Sequence, residues 1–486
     1  MAFDTPYRLL IGGEWVDGES GSVPIRNPAT GDVVGEAPEA STLQAIDACD
    51  AAADAFEGWA STPIAERAAV VGRAAALMRE RADDFVPLVQ AETGATLRVT
   101  KTMQVPSAIG RLEYYARRGL EPMDIPIAPA SAPSTALAPG GLIGALVNHA
   151  PIGVVACITP YNFPIVNMAG KIGPALVMGN TVVVKPALQD PLAVIRMVEV
   201  MAEAGFPSGV INLITCTEVP PAEAIVASPK VDMVSFTGST AVGSRIAEMA
   251  APRMCRLLLE LGGKGASIVF DDADMKAAIG GTSSTWSFHS GQICTSPTRA
   301  IVHRSVYDQF VEGMGQMASA LKVGDPLEAD TVVGPVISEA HRDRVESYVA
   351  AGKGEGATIA AGGERSDLAG AYVVPTLLAD CTPTMTPVRE EIFGPVVVVL
   401  PFDDDDEAVA MANDTPFGLF NYVFSRDSAR AASVARRLRS GNVGINTLQR
   451  NPEAPFGGMK MSGVGRDGGV FGLHAYSEMQ SILWNG

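Results

Sequence analysis

From Asn162 to Ala250, short β-branched segments alternate with helix-forming ones, and this alternation most restricts what the chain can fold into. Thr181–Lys185 reads Thr-Val-Val-Val-Lys, a run of strand length that is apolar on both faces. Asp190-Pro191 opens a helix that ends near Gly205, and residues 210–214 form the next strand. A helix over 221–227, a strand over 231–236 and a helix over 240–250 continue the series. Strands that alternate with helices predict right-handed βαβ units on a parallel sheet. A second alternating region spans 266–446, with strands at 266–270, 300–303, 395–400 and 420–424, and the two regions meet near Glu260. The fold class is therefore α/β, and 486 residues exceed one ordinary domain.

The N-terminal third reads as helical. Residues 43–59 are Ala-rich with Ile46, Phe56 and Trp59 as expected buried positions, Thr62-Pro63 starts another helix, and Gly94 ends the set. Residues 123–143, rich in Pro, Ala and Ser, read as a linker or as a hairpin leaving the globule, and 475–484 reads as extended. A net charge of −18 without a Lys/Arg cluster argues against a nucleic-acid partner. The most apolar stretch, 150–166, is cut by Pro151, Pro160 and Pro164, so no membrane partner is expected. The N-terminal residues lack a signal-peptide pattern, and six cysteines without a C-x-x-C pair suit a reduced compartment, so a cytoplasmic location is expected. Five scattered histidines give no metal site.

Cys294 stands in a small, polar context, Ser290-Gly-Gln-Ile-Cys-Thr-Ser296. A nucleophilic thiol needs room for substrate and backbone donors beside it; a buried structural cysteine needs neither, and local sequence leaves both readings open. Glu260 follows the apolar run Leu257–Leu259 and sits at a strand's C-terminal end, where α/β folds place their ligands. Desolvated there it is a general base; otherwise it is a helix cap or ion-pair partner. Asn162 lies between Pro160 and Pro164, held either as an oxyanion donor or as a turn residue. Phe236-Thr-Gly-Ser-Thr-Ala-Val-Gly243 turns from a strand into a helix and suits a phosphate. The G-x-G-x-x-G of Gly463–Gly468 follows no expected strand and reads as a glycine-rich loop.

These segments, in this order, resemble the NAD(P)-dependent aldehyde dehydrogenase superfamily. Asn27–Gly31, Lys185-Pro186, Glu390–Val396 and Pro455–Gly463 are also similar to its motifs, and the resemblance covers essentially the whole chain. It implies a Rossmann-like cofactor domain (residues 1–122 and 144–259), an α/β catalytic domain (260–455) and a small β oligomerisation flap (123–143 and 456–486), in a homodimer or homotetramer. It implies Cys294 as nucleophile toward a small-molecule aldehyde, Asn162 with the Cys294 N–H as oxyanion donors, and Glu260 as the base that hydrolyses the thioester. For the cofactor it implies Ser239 and Gly238 at the pyrophosphate, Lys185 and Glu391 at the riboses, and Phe393 at the nicotinamide. Ile158, Thr159, Pro160, Tyr161, Gly209, Val242, Leu261 and Gly262 complete that set. Around the substrate it implies Phe163, Val166, Asn167, Gly170, Phe288, Ile293, Thr295, Asn451 and Phe456.

Three departures from the family pattern bear on specificity. Leu188 replaces a common Glu that repels a 2′-phosphate, so NAD is expected with NADP left open. Gly170 replaces a common Trp, which implies a wider tunnel and bulky or aromatic substrates. His289 stands where Asn is frequent, making a Cys–His hydrolase a formal rival. Arg450 reads either as a solvated guanidinium or as a partner for a substrate carboxylate. The alternatives in function are a CoA-acylating semialdehyde dehydrogenase, against which Glu260 speaks, and a non-catalytic structural or binding member.

Overall fold

The computed structural model describes residues 6–485. Its largest sheet has eight strands in the order Gly463–Val464, Arg256–Glu260, Met233–Thr237, Val154–Ile158, Thr181–Lys185, Ile211–Leu213, Leu9–Ile11, Glu14–Val16. The strands from Arg256–Glu260 through Ile211–Leu213 run parallel. Val182, Val183 and Val184 are fully buried, with Val183 in a different apolar cluster from its two neighbours. That is the alternation a strand covered on both faces requires, and each such valine contributes about 1.5–3 kcal/mol.

Chain order reverses at Val154–Ile158, which has Thr181–Lys185 on one side and Met233–Thr237 on the other. A crevice opens at such a switch point, beyond the strands' C-terminal ends. A second, seven-stranded sheet runs Thr358–Ala361, Thr376–Ala379, Val396–Phe402, Arg299–His303, Ala266–Val269, Phe420–Phe424, Asn442–Ile445, parallel except at its first pair. Ile125–Ala132, Gly141–Pro151 and Ser477–Asn485 form a separate antiparallel three-stranded sheet. The segment 123–143 is thus a hairpin arm rather than a linker.

Several expectations need correction. The N-terminal third is not only helical: Leu9–Ile11 and Glu14–Val16 complete the large sheet, and Ser22–Arg26 pairs with Val33–Pro38. They are short strands paired as neighbours along the chain, and Leu10 alone reaches the distant Leu213. Ile46 is 40% exposed, whereas Trp59 is buried and donates its indole N–H to the Leu176 carbonyl. The flap sheet draws only 477–485 from the C-terminal part. Gly463–Val464 pairs instead with Arg256–Glu260 in the large sheet. Gly463 has φ +136° and a Cβ there would lie 1.9 Å from the Leu259 carbonyl oxygen, so this close backbone approach needs glycine. No helix among the described residues is long and apolar enough to cross a membrane.

Candidate active site

Between the crevice of the large sheet and the loops of the second sheet lies a cavity of about 600 Å³. Glu260, Asn162 and Cys294 all line it. Glu260 ends its strand and is buried, and neither carboxylate oxygen has a hydrogen-bond partner. Desolvation first, and then the negative charge of Asp467, push its pKa well above the usual carboxylate range, while Lys171 opposes the shift. A helix cap or ion-pair role would show partners, so the unpaired, cavity-facing position fits a base.

Asn162 lies between the strand Val154–Ile158 and the helix Pro164–Val177, and Pro164 at the helix start lacks the N–H that would otherwise need a partner. Its amide Nδ2 donates to the Gln292 carbonyl at 2.8 Å. Gln292 is itself fixed, since its Oε1 accepts from the Ile337 N–H at 2.9 Å. The amide is therefore tied to the segment that carries the thiol, two residues before Cys294.

Cys294 follows a sharp turn in which His289, Ser290 and Gly291 all have positive φ, 51°, 53° and 76°. Two consecutive non-glycine residues in the left-handed region are strained, and such strain persists where surroundings over-determine it. Here Ser290 Oγ donates to the Gly334 carbonyl at 2.7 Å, and Tyr422 donates its hydroxyl to the Thr295 carbonyl at 2.8 Å. Burial, with Glu391 and Glu260 adding to it, pushes the Cys294 thiol up to about 12. The resting group is a thiol, and its attack on a carbonyl requires a neighbouring base.

His289 is not that base. It is buried against the Phe163 ring at 5.3 Å, does not line the cavity, and burial holds its pKa down to about 4. The hydrolase alternative loses its general base.

At the cofactor end, Ser239 caps the helix Thr240–Ala250, its hydroxyl accepting from the Val242 N–H, and Gly238 donates its N–H to the Glu260 carbonyl at 3.0 Å. Gly238, Ser239, Pro160, Tyr161, Leu261 and Gly262 line the cavity. Glu391 also lines it, accepting from the Gly263 N–H at 2.7 Å, with burial raising its pKa to about 7. A Cβ on Gly262 would lie 2.2 Å from the Glu391 carboxylate, so glycine admits this carboxylate. Phe393, with φ 60°, is held by His341, whose Nε2 contacts its carbonyl at 2.8 Å, and packs edge-on against Tyr161. A helix N-terminus, a glycine cradle, a buried carboxylate and an aromatic wall along one crevice fit a dinucleotide.

Ile158 and Lys185 end adjacent parallel strands and, with Thr159, do not line the cavity; the Thr159 N–H donates to the Lys185 carbonyl. Val242 is exposed in the helix's first turn, and Leu188 is likewise exposed. Gly209 does not join them. It precedes the strand Ile211–Leu213, at the opposite end of the parallel sheet, where a Cβ would meet the Ala51 carbonyl at 2.6 Å.

At the substrate end Phe163, Val166, Asn167, Phe288, Ile293, Thr295 and Phe456 line the cavity. Asn451 does not; it is exposed, and its Oδ1 accepts from the Glu453 N–H as a turn cap. Gly170 does not line the cavity either, and the expected widening is absent. A Cβ on Gly170 would lie 2.0 Å from Arg111 Nη1: the guanidinium, reaching over from the helix Val105–Arg118, fills that space. Arg98, Arg111, Arg450 and Asp467 also line this end. Local sequence gives no signal for Arg111, which lies 59 positions before the glycine it fills.

A doubly wound sheet thus faces a second α/β sheet, with a thiol, a carboxylate and an amide in the cavity between them, an arrangement that fits a dehydrogenase. The chain belongs to the aldehyde dehydrogenase family, whose profile matches residues 15–482, and is an NAD(P)-dependent oxidoreductase. It is 36% identical over 482 residues to an aldehyde dehydrogenase of Agaricus bisporus, covering 98% of this chain and 94% of that protein. It is 36% identical over 475 residues to the NADP(+) succinate-semialdehyde dehydrogenase GabD of Escherichia coli K12, covering 97% and 96%. Among solved structures it is similar to betaine aldehyde dehydrogenase of Staphylococcus aureus in complex with NAD+, with TM-score 0.94, 36% identity and coverage of 99% and 95%. The NAD+ complex of an aldehyde dehydrogenase from Bacillus cereus gives TM-score 0.92 and 37% identity over 99% and 97%.

Proposed function

We propose that the protein oxidises an aldehyde to the carboxylic acid with reduction of NAD, NADP being the alternative, through a covalent intermediate on Cys294. The observation that carries this reading is Glu260: a buried carboxylate without hydrogen-bond partners in the same cavity as the half-buried Cys294 thiol. Cys294 adds to the aldehyde carbon, its S–H bond breaking as the proton passes to a water molecule acting as base. The oxyanion so formed lies against Asn162 and the Cys294 N–H. NAD(P), when bound, accepts the hydride that converts the thiohemiacetal to a thioester. Glu260 then takes a proton from water, the water oxygen bonds to the acyl carbon, and the Cys294 sulfur leaves as the acid forms.

The phosphates would meet the helix start at Ser239, and the riboses Lys185 and Glu391. Leu188 presents no carboxylate against a 2′-phosphate, which keeps NADP open. Phe163, Phe288 and Phe456 support a bulky or aromatic aldehyde, although the room expected at Gly170 is taken by Arg111. An assay with benzaldehyde and acetaldehyde, each with NAD and with NADP, tests the reading. Acid and reduced nicotinamide should form in equal amounts without CoA, with benzaldehyde ahead in kcat/KM by about tenfold or more. A clear preference for acetaldehyde overturns the bulky-substrate part, and no reduction of either nucleotide overturns the whole.

We further place the enzyme in the cytosol, where its six free cysteines stay reduced. We also propose a homodimer or homotetramer built through the three-stranded sheet, which exposes Leu142, Met479, Ile482, Leu483 and Trp484. Light scattering should return two or four times 50.6 kDa, and Met479→Glu with Leu483→Glu should shift the mass toward one chain. A monomeric parent would end this proposal.

A further inference from the structure

The substrate end of the cavity carries more positive charge than its carboxylates balance. Arg98, Arg111 and Arg450 line it, Arg98 and Arg450 being also exposed to solvent, and the acidic side chains that accompany these three are Asp467 and Glu260. Asp467 reaches only Arg111, at 3.9 Å, and shares its Oδ1 with the Tyr115 hydroxyl. Arg98 donates to the Ser287 carbonyl at 2.6 Å, and neither Arg98 nor Arg450 pairs with a carboxylate among the described residues. The nearby Glu453 is occupied elsewhere, accepting from Tyr114 and meeting Arg118.

The Arg450 guanidinium carbon lies over the Phe456 ring, 3.7 Å from its centroid. Arg450 makes no side-chain hydrogen bond or ion pair among the described residues, so its planar fork of donors is available to a ligand. Arg111 donates to the Val166 carbonyl at 3.3 Å and occupies the volume that any side chain at 170 would fill. Its place therefore depends on Gly170. Three like charges around one cavity end outnumber the carboxylates beside them, an anion that joins them is favoured, and a planar fork matches a carboxylate best.

We infer that the aldehyde this enzyme prefers carries a carboxylate remote from its carbonyl, which Arg450 and Arg111 receive at the substrate end of the cavity, Gly170 being the residue that admits Arg111. The inference rests on the proposed aldehyde oxidation and narrows it from bulky aldehydes to acidic ones. Arg450 and Arg111 are specificity residues, remote from the reacting carbon.

The test compares matched pairs: 4-carboxybenzaldehyde with benzaldehyde, and 4-oxobutanoate with butanal. In the parent enzyme kcat/KM should favour the acidic member by about 100-fold, the scale of a charge pair in a partly desolvated site. Arg450→Met should collapse that ratio by about 100-fold, mainly through KM. Gly170→Ala should lower the ratio by about tenfold by displacing Arg111, and Arg111→Met should do the same if the alanine variant does not fold. A parent ratio at or below one, or an Arg450→Met effect equal on both members of a pair, overturns the inference while leaving aldehyde oxidation standing. Absence of nucleotide reduction with every member overturns both.

Discussion

Cys294→Ala is expected to lower aldehyde oxidation by at least about 10⁴-fold while the protein still binds NAD. Losses of this size follow when a covalent nucleophile is deleted, because the remaining groups cannot split the reaction into two easier steps. The substitution removes one sulfur from a site whose backbone is fixed by other atoms: Ser290 Oγ to Gly334, Tyr422 to Thr295, Asn162 to Gln292. The turn and the crevice should therefore survive. Titration of nucleotide fluorescence checks cofactor binding, and stopped-flow absorbance at saturating aldehyde checks chemistry. The parent thiol offers a second readout. With its pKa raised to about 12 by burial, Glu391 and Glu260, the free enzyme should react slowly with iodoacetamide at neutral pH, the rate rising about tenfold per pH unit. Retention of more than a few per cent of activity in Cys294→Ala would remove the covalent step.

The parts of this site differ in how readable they are from sequence. Thr181–Lys185 and Phe420–Phe424 are recognisable strands because β-branched and aromatic runs bury both faces, and the structure forms them over those residues. Glu260, Asn162 and Cys294 are marked by local chemistry: a carboxylate closing an apolar strand, an amide between prolines, a thiol among small residues. Leu9–Ile11 and Gly463–Val464 carry no such mark. Leu9–Ile11 becomes a sheet strand by pairing with Glu14–Val16 and with Leu213, and Gly463–Val464 because Leu259 and Glu260 offer backbone partners. The same limit explains Gly170. Read alone, a glycine in place of a large side chain means space; whether the space stays open depends on what reaches it, and the occupant comes from a separate helix. Arg450 shows it again: sequence leaves the guanidinium solvated or engaged, and the structure has it both exposed and over the Phe456 ring, a contact no local pattern announces.

Glu260→Gln is expected to separate the two halves of the reaction. Glutamine keeps the shape and packing beside Gly457 but cannot take a proton from water, so acylation can proceed while hydrolysis slows by about 10²–10⁴-fold, the range for losing a general base. A burst of reduced nucleotide equal to the enzyme concentration should appear, followed by a slow steady state, and intact-mass spectrometry should find the acyl group on Cys294. The pH dependence fixes the assignment. Desolvation and Asp467 raise the parent carboxyl well above its ordinary range, so it is protonated and idle at low pH and becomes a base as pH rises. The steady-state rate of the parent enzyme should therefore climb through that raised value, and the variant should lose this limb. Asp467→Asn supplies an independent check, because removing the second cause of the shift should move the limb to lower pH. A Glu260→Gln enzyme that turns over normally would assign the water-activating step to a different group, and one that loses the burst together with the steady state would overturn the separation by placing Glu260 in acylation. Normal turnover would also leave two buried, unpaired carboxylate oxygens in the cavity without a chemical reason to be there.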